Sequence, residues 1–157
     1  MKQLGLLLVL FLAAACGSTQ MNEDDSSKEG ETAMGNGWEL SAEIDEREDT
    51  VDWSLTLQNT GEEPLRLFFR TSQQVEVVVT AEDGEELYRY SEGMMFTQVL
   101  TEKVIQGKEG HTWEGNIEKR KLSPGENKVR LSVTASEVND EAVQEEEMTI
   151  HKTVAIE

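Results

Sequence analysis

The chain has 157 residues, 32 acidic against 14 basic side chains, a formal net charge of −18 and a single cysteine. Such acidity excludes nucleic acid as a partner and excludes adhesion to anionic lipid through a basic patch, since both need clustered Lys and Arg. One cysteine excludes an intramolecular disulfide and cysteine-rich metal sites, so an apolar core alone must hold the fold.

The first fifteen residues read as an export signal. Lys2 gives a positive start, Leu6 to Leu12 an apolar stretch, and Ala13-Ala14-Ala15 a small-residue cleavage site. The whole apolar run, Leu4 to Ala15, is too short for a spanning helix, which takes roughly 20 apolar residues. Cys16 follows directly. A cysteine after small residues resembles the bacterial lipobox, which implies cleavage before Cys16 and lipid on its sulfur; the pattern's usual Leu three places before the cysteine is Ala13 here. Lipidated Cys16 would leave no free thiol and would hold the exported protein on the outer face of the cytoplasmic membrane.

Residues 16–37 form an acidic tether. The stretch after Cys16, GSTQMNEDDSSKEGETAMGNG, has no large apolar residue except Met21 and Met34. It buries too little to offset its ordering entropy and is expected to be disordered. Its root-mean-square reach is about 25 Å.

From Trp38 to the end, residues 38–157, the pattern alternates with period two. Trp38, Leu40, Ala42 and Ile44 begin it, followed by Val51, Trp53, Leu55 and Leu57, then Leu65, Leu67 and Phe69, then Val75, Val77 and Val79. Asp83-Gly84 marks a hairpin into Leu87–Tyr90. Further strands are expected at Phe96–Thr101, Thr112–Ile117, Val129–Ala135 and Met148–Ile156, with Ser123-Pro124-Gly125 as a turn and the acidic stretch Glu137–Glu147 as a loop. Strict alternation places one side-chain set on a buried sheet face and the other in water. About eight short strands separated by turns predict an all-β fold, an immunoglobulin-like antiparallel β-sandwich, with Trp53 and Trp113 filling the core.

Three blocks carry a family resemblance: LTLQNTGEEPLRLFF (Leu55–Phe69), TSQQVEVVVTAEDGEELYRYSEGMMFTQ (Thr71–Gln98) and LSPGENKVRLSVTA (Leu122–Ala135). The middle block is the most specific, with Ser-x-Gln before a strand, a Gly hairpin, an aromatic-basic-aromatic-Ser run and a Phe-x-Gln. Together they resemble the BsuPI family, the intracellular proteinase inhibitor domain of Gram-positive bacteria. The resemblance implies a β-sandwich that binds protein and inhibits subtilisin-type serine proteases. Two departures stand out. The family's namesake is cytosolic, whereas this chain carries an export signal. Family members also often have Asp or Tyr-Asp where this chain has Val75-Glu76.

The candidate protein-binding residues are Tyr88, Tyr90, Met94 and Met95. Tyr88-Arg89-Tyr90 puts two aromatics on one strand face; exposed, they would anchor a partner, but half-buried rings with hydroxyls at the rim are the plainer expectation. Met94 or Met95 would offer a protease an adaptable apolar side chain. The plainer expectation there is that Met95 and Phe96 pack into the sandwich while Gly93 turns the chain. Ser72, Gln73 and Gln98 are expected to satisfy local hydrogen bonds.

No catalytic residues, cofactor or metal ligands are expected. His111 and His151 are the only histidines, and the G-x-S-x-G nucleophile motif is missing. The acidic runs lack ordered cation-ligand spacing. The chain thus reads as a membrane-anchored lipoprotein with a protein-binding domain that inhibits a proteinase. The alternative is a non-inhibitory structural or accessory module in assembly of the cell envelope.

Overall fold

The computed structural model describes residues 31–157. Cys16, the export signal and most of the expected tether lie outside these residues. Twelve strands form among the described residues: β1 (Thr32–Gly35), β2 (Trp38–Glu46), β3 (Thr50–Asn59), β4 (Leu65–Phe69), β5 (Val75–Ala81), β6 (Glu86–Arg89), β7 (Thr101–Ile105), β8 (Gly110–Glu118), β9 (Gly125–Val133), β10 (Glu137–Val138), β11 (Glu141–Ala142) and β12 (Thr149–Ile156). All pairings are antiparallel, in three four-stranded sheets ordered β1-β2-β3-β8, β11-β10-β4-β7 and β12-β9-β5-β6. The fold is the all-β sandwich that the alternation predicts.

The alternation builds the core directly. In β3, Val51, Trp53, Leu55, Leu57 and Asn59 are buried while their neighbours are partly exposed. The four apolar ones, Val51, Trp53, Leu55 and Leu57, meet Val77, Val79, Val129, Leu131 and Ile150 of the third sheet in one cluster. Each large aliphatic side chain that leaves water there stabilises the fold by about 1.5–3 kcal/mol before entropy is counted. Trp53 packs edge-on to Tyr90 with ring centroids 5.7 Å apart.

The second and third sheets are two lengths of one bent layer. β4 runs through residues 70–74 into β5, and β9 runs through residues 134–136 into β10. The two paths stay hydrogen-bonded across the bend, with the Thr134 amide donating to the Gln74 carbonyl at 2.9 Å and the Ser136 amide to the Phe68 carbonyl at 2.8 Å. β6 therefore flanks β5 and β7 flanks β4 along the same outer edge.

Two buried asparagines fix the ends of this framework. Asn59 closes β3 and donates from Nδ2 to the carbonyls of Glu63 (2.8 Å) and Ile105 (3.0 Å), tying the first sheet to the second. Asn127 holds the Pro-Gly turn, donating to the carbonyls of Ser123 (2.8 Å) and Gly125 (3.0 Å). Gly125 has φ +94°, a conformation that glycine adopts without steric cost.

Four local expectations are corrected. Residues 32–35, expected within the disordered tether, form β1 on Trp38–Ser41, because Trp38 and Leu40 start a sheet with an open edge beside them. The expected strand Phe96–Thr101 does not form; regular pairing begins only at Thr101. Glu137–Glu147, expected as a loop, contains β10, β11 and the beginning of a short 3-10 helix at Glu145–Met148, pinned by buried Val138 and Met148. Trp113, expected in the core, sits half-exposed on the edge strand β8, where the facing layer covers it incompletely.

Candidate functional site

The outer edge of the bent layer is interrupted where the inner strand bends. The Tyr90 amide donates to the Val77 carbonyl at 2.8 Å, and pairing resumes with Phe69 opposite Thr101. Between these points the inner strand takes eight residue steps and the edge takes eleven. Three extra residues are thrown outward, as in an enlarged β-bulge. The resulting segment, Ser91–Leu100, leaves β6 and enters β7.

It is fastened to residues 71–76 through both side-chain and main-chain groups. Glu76 accepts from the Ser91 amide at 3.1 Å and from Ser91 Oγ at 2.5 Å. Gln73 Nε2 donates to the same carboxylate at 3.1 Å, and Arg89 Nη1 lies 3.8 Å away. Midway, the Thr97 amide donates to Ser72 Oγ and the Ser72 amide to the Thr97 carbonyl, both at 3.0 Å. At the exit Thr101 Oγ1 donates to the Thr71 carbonyl at 3.0 Å. Charge-assisted bonds to Glu76 are the strongest of these, each contributing about 1.5–3 kcal/mol when partly buried.

Between the fastenings the segment is apolar and open. Met95 is 97% exposed, Leu100 81%, Val99 59% and Met94 48%. Phe96 is half-buried. The expectation that Met95 packs into the sandwich is therefore overturned: Ser91 and Thr97 are held to the inner strand, and the arc between them is too long to lie flat. Its only charged residue is Glu92. The exposed apolar side chains thus come in two pairs, Met94-Met95 and Val99-Leu100, on either side of Phe96-Thr97-Gln98.

The tyrosines stand nearby but are engaged within the protein. Tyr90 meets Trp53, and Lys121 Nζ lies 5.5 Å from the centre of the Tyr88 ring. Both rings are half-buried against the core. Burial pushes the Tyr88 hydroxyl above its usual pKa, with Tyr90 and Glu76 adding to the effect. Arg89 grips Glu86 through two nitrogens, at 2.9 and 2.5 Å, and this bond holds the Glu86 carboxyl below its usual value. Gln73 makes the local bonds expected of it, to Thr71, Val75 and Glu76, whereas Ser72 bonds across to Thr97 and Gln98 is exposed. The sequence pointed to Met94 and Met95 but missed Val99 and Leu100, which read there as part of a buried strand, and missed Ser72 and Glu76 as the posts of the segment.

On β8, Trp113 Nε1 donates to Gln74 Oε1 at 3.0 Å, His111 packs edge-on at 4.6 Å, and Lys103 Nζ lies 5.9 Å from the indole centre. Burial and then the Lys103 charge hold His111 below its usual pKa. Among the described residues no three His, Cys, Asp or Glu side chains converge as a metal site, and no helix is long and apolar enough to cross a membrane.

The described residues thus form an antiparallel β-sandwich with a braced, exposed segment on its edge. The sequence matches the BsuPI family, described as intracellular proteinase inhibitor, over residues 38–138, and the chain belongs to that family. No curated protein matches the chain. Solved structures show distant likeness. They include β-glucosidase 3B from Thermotoga neapolitana in complex with α-D-glucose (TM-score 0.40, 12% identity, 76% of this chain and 16% of that one). Others are a β-glucosidase from Kluyveromyces marxianus (0.38, 13%, 76% and 14%) and a protein from Archaeoglobus fulgidus (0.37, 7%, 73% and 91%). The chain thus spans about a sixth of the glucosidases it resembles, and likeness at this level carries no argument about activity.

Proposed function

We propose that the chain is an exported, lipid-anchored proteinase inhibitor, non-enzymatic itself, that acts at the outer face of the cytoplasmic membrane on a subtilisin-type serine protease. One observation carries the inhibitory reading: a member of an inhibitor family displays a braced apolar segment, Met94–Leu100, at a sheet edge. Family membership supports a protease as partner. Bracing lowers the ordering cost of docking, which is what tightens such complexes.

The layout of Lys2, Leu6–Leu12, Ala13–Ala15 and Cys16 supports the location. A diacylglyceryl thioether on Cys16 supplies two chains, enough for stable attachment where one is marginal. The cytosolic target of the family's namesake is then out of reach, and the target is extracytoplasmic.

Incubating the purified domain with subtilisin-type proteases tests the inhibitory reading. Hydrolysis of a small chromogenic peptide is expected to fall as domain is added at micromolar concentration; unchanged hydrolysis of small and large substrates contradicts it. Fractionation tests the anchor separately. Cys16→Ser is expected to release the protein from membranes, and a variant that stays attached contradicts lipidation.

A further inference from the structure

We propose that Met95 enters the primary specificity pocket of the target, so that the chain inhibits proteases that cleave after large apolar residues and spares those that cleave after basic ones. This rests on the inhibitory reading above and names the contact it uses.

Three observations converge on Met95. It is the most exposed large apolar side chain, at 97%, against 48% for Met94 beside it. It lies on the arc between the two posts, Ser91 on Glu76 and Thr97 on Ser72. Neither Met95 nor Phe96 makes a main-chain hydrogen bond to another described residue, and both lie between the turn that follows β6 and the start of β7. An enzyme cleft that binds substrate as an added antiparallel strand finds those amides and carbonyls open, with Met95 between them as the pocket-filling side chain. Residues on either side that bond inward, Ser91 and Thr97, limit how far the segment deforms.

The chemistry of the segment selects the pocket. Residues 92–100 contain no Lys or Arg. A pocket with a carboxylate at its base would leave that charge buried and unpaired against a thioether, a strongly unfavourable arrangement. An apolar pocket gains the full transfer of the flexible Met side chain. The bland occupant of an apolar surface, a second copy of this chain, is disfavoured by mutual repulsion between molecules of net charge −18.

The test compares two serine proteases, one with an apolar primary pocket and one with an acidic-based pocket, against the wild-type domain, Met95→Ala and Met95→Lys. Met95 is exposed, so both variants are expected to fold, and circular dichroism verifies it. The wild type is expected to inhibit only the first enzyme. Met95→Ala is expected to weaken that inhibition about 10- to 100-fold, and Met95→Lys to shift inhibition toward the second enzyme. Inhibition of the first enzyme undiminished in Met95→Ala, or no shift in Met95→Lys, overturns the assignment of Met95 while leaving the inhibitory reading standing. A wild type that inhibits neither enzyme overturns both.

Discussion

Ser72 secures Thr97 through both main-chain polar groups of that residue: the Thr97 amide donates to Ser72 Oγ, and the Ser72 amide donates to the Thr97 carbonyl, each at 3.0 Å. Ser72 sits at the bend between β4 and β5, and Thr97 sits in the middle of the exposed segment. The pairing makes the bend in the inner strand the support for the excursion of the outer one.

Ser72→Ala removes one of the two bonds and leaves the other. Global stability is expected to fall by about 1 kcal/mol or less, as for a single partly exposed hydrogen bond. Hydrogen exchange at the Thr97 amide is expected to speed far more than exchange in β3 or β9. Unchanged exchange at Thr97 would show that Ser72 does not hold the segment.

Gly115 is required by Trp53. A Cβ at position 115 would lie 2.6 Å from Trp53 Cζ2, and the indole is locked between the sheets and cannot move aside easily. Gly115→Ala is expected to cost about 1–3 kcal/mol, read as a lower midpoint in urea. A combined Gly115→Ala and Trp53→Phe variant is expected to lose less than the sum of the single changes, since the smaller ring relieves the clash. Strict additivity would contradict the contact.

His111 gives the stability a pH dependence near neutrality. Burial and the Lys103 charge lower its pKa in the folded protein below the ordinary 6.5. The unfolded chain therefore binds the proton more readily, and stability contributed by neutral His111 is complete above about 6.5 and declines as pH falls through and below that value. A proton NMR titration is expected to place His111 below 6.5, and Lys103→Gln to raise it. A His111 that titrates at or above 6.5 contradicts the packing of the Trp113 cluster.

Oxidation offers a further check on the exposed methionines. Peroxide converts each accessible thioether to a sulfoxide with release of water, replacing an apolar tip by a polar one. Treated wild-type domain is expected to lose inhibition of an apolar-pocket protease, and Met95→Leu to keep most of it. Equal loss in both would place the sensitive contact elsewhere, at Met94 or beyond the segment.

Much of this fold was legible because one physical rule, alternation between core and water, governs β3, β4, β5, β9 and β12 alike. Asp83-Gly84 and Ser123-Pro124-Gly125 fall at turns for the same local reasons that made them visible. The site was less legible. Met94, Met95, Phe96, Val99 and Leu100 are apolar, and apolarity alone does not separate a buried strand from a surface held out for a partner. That distinction lies in pairing: three residues more on the edge than on the inner strand between Val77 and Phe69. The roles of Ser72 and Glu76 depend on the same long-range register. β10 was hidden because a single buried side chain, Val138, pins it within an acidic stretch.

Docking of the Ser91–Leu100 segment into a protease cleft is tested most directly by calorimetric titration against one apolar-pocket subtilisin-type enzyme in two forms. In one the cleft is free; in the other it is filled by a covalently attached peptide inhibitor. The wild-type domain is expected to bind the free enzyme and not the filled one. Equal binding to both forms, or none to either, would contradict docking in the cleft.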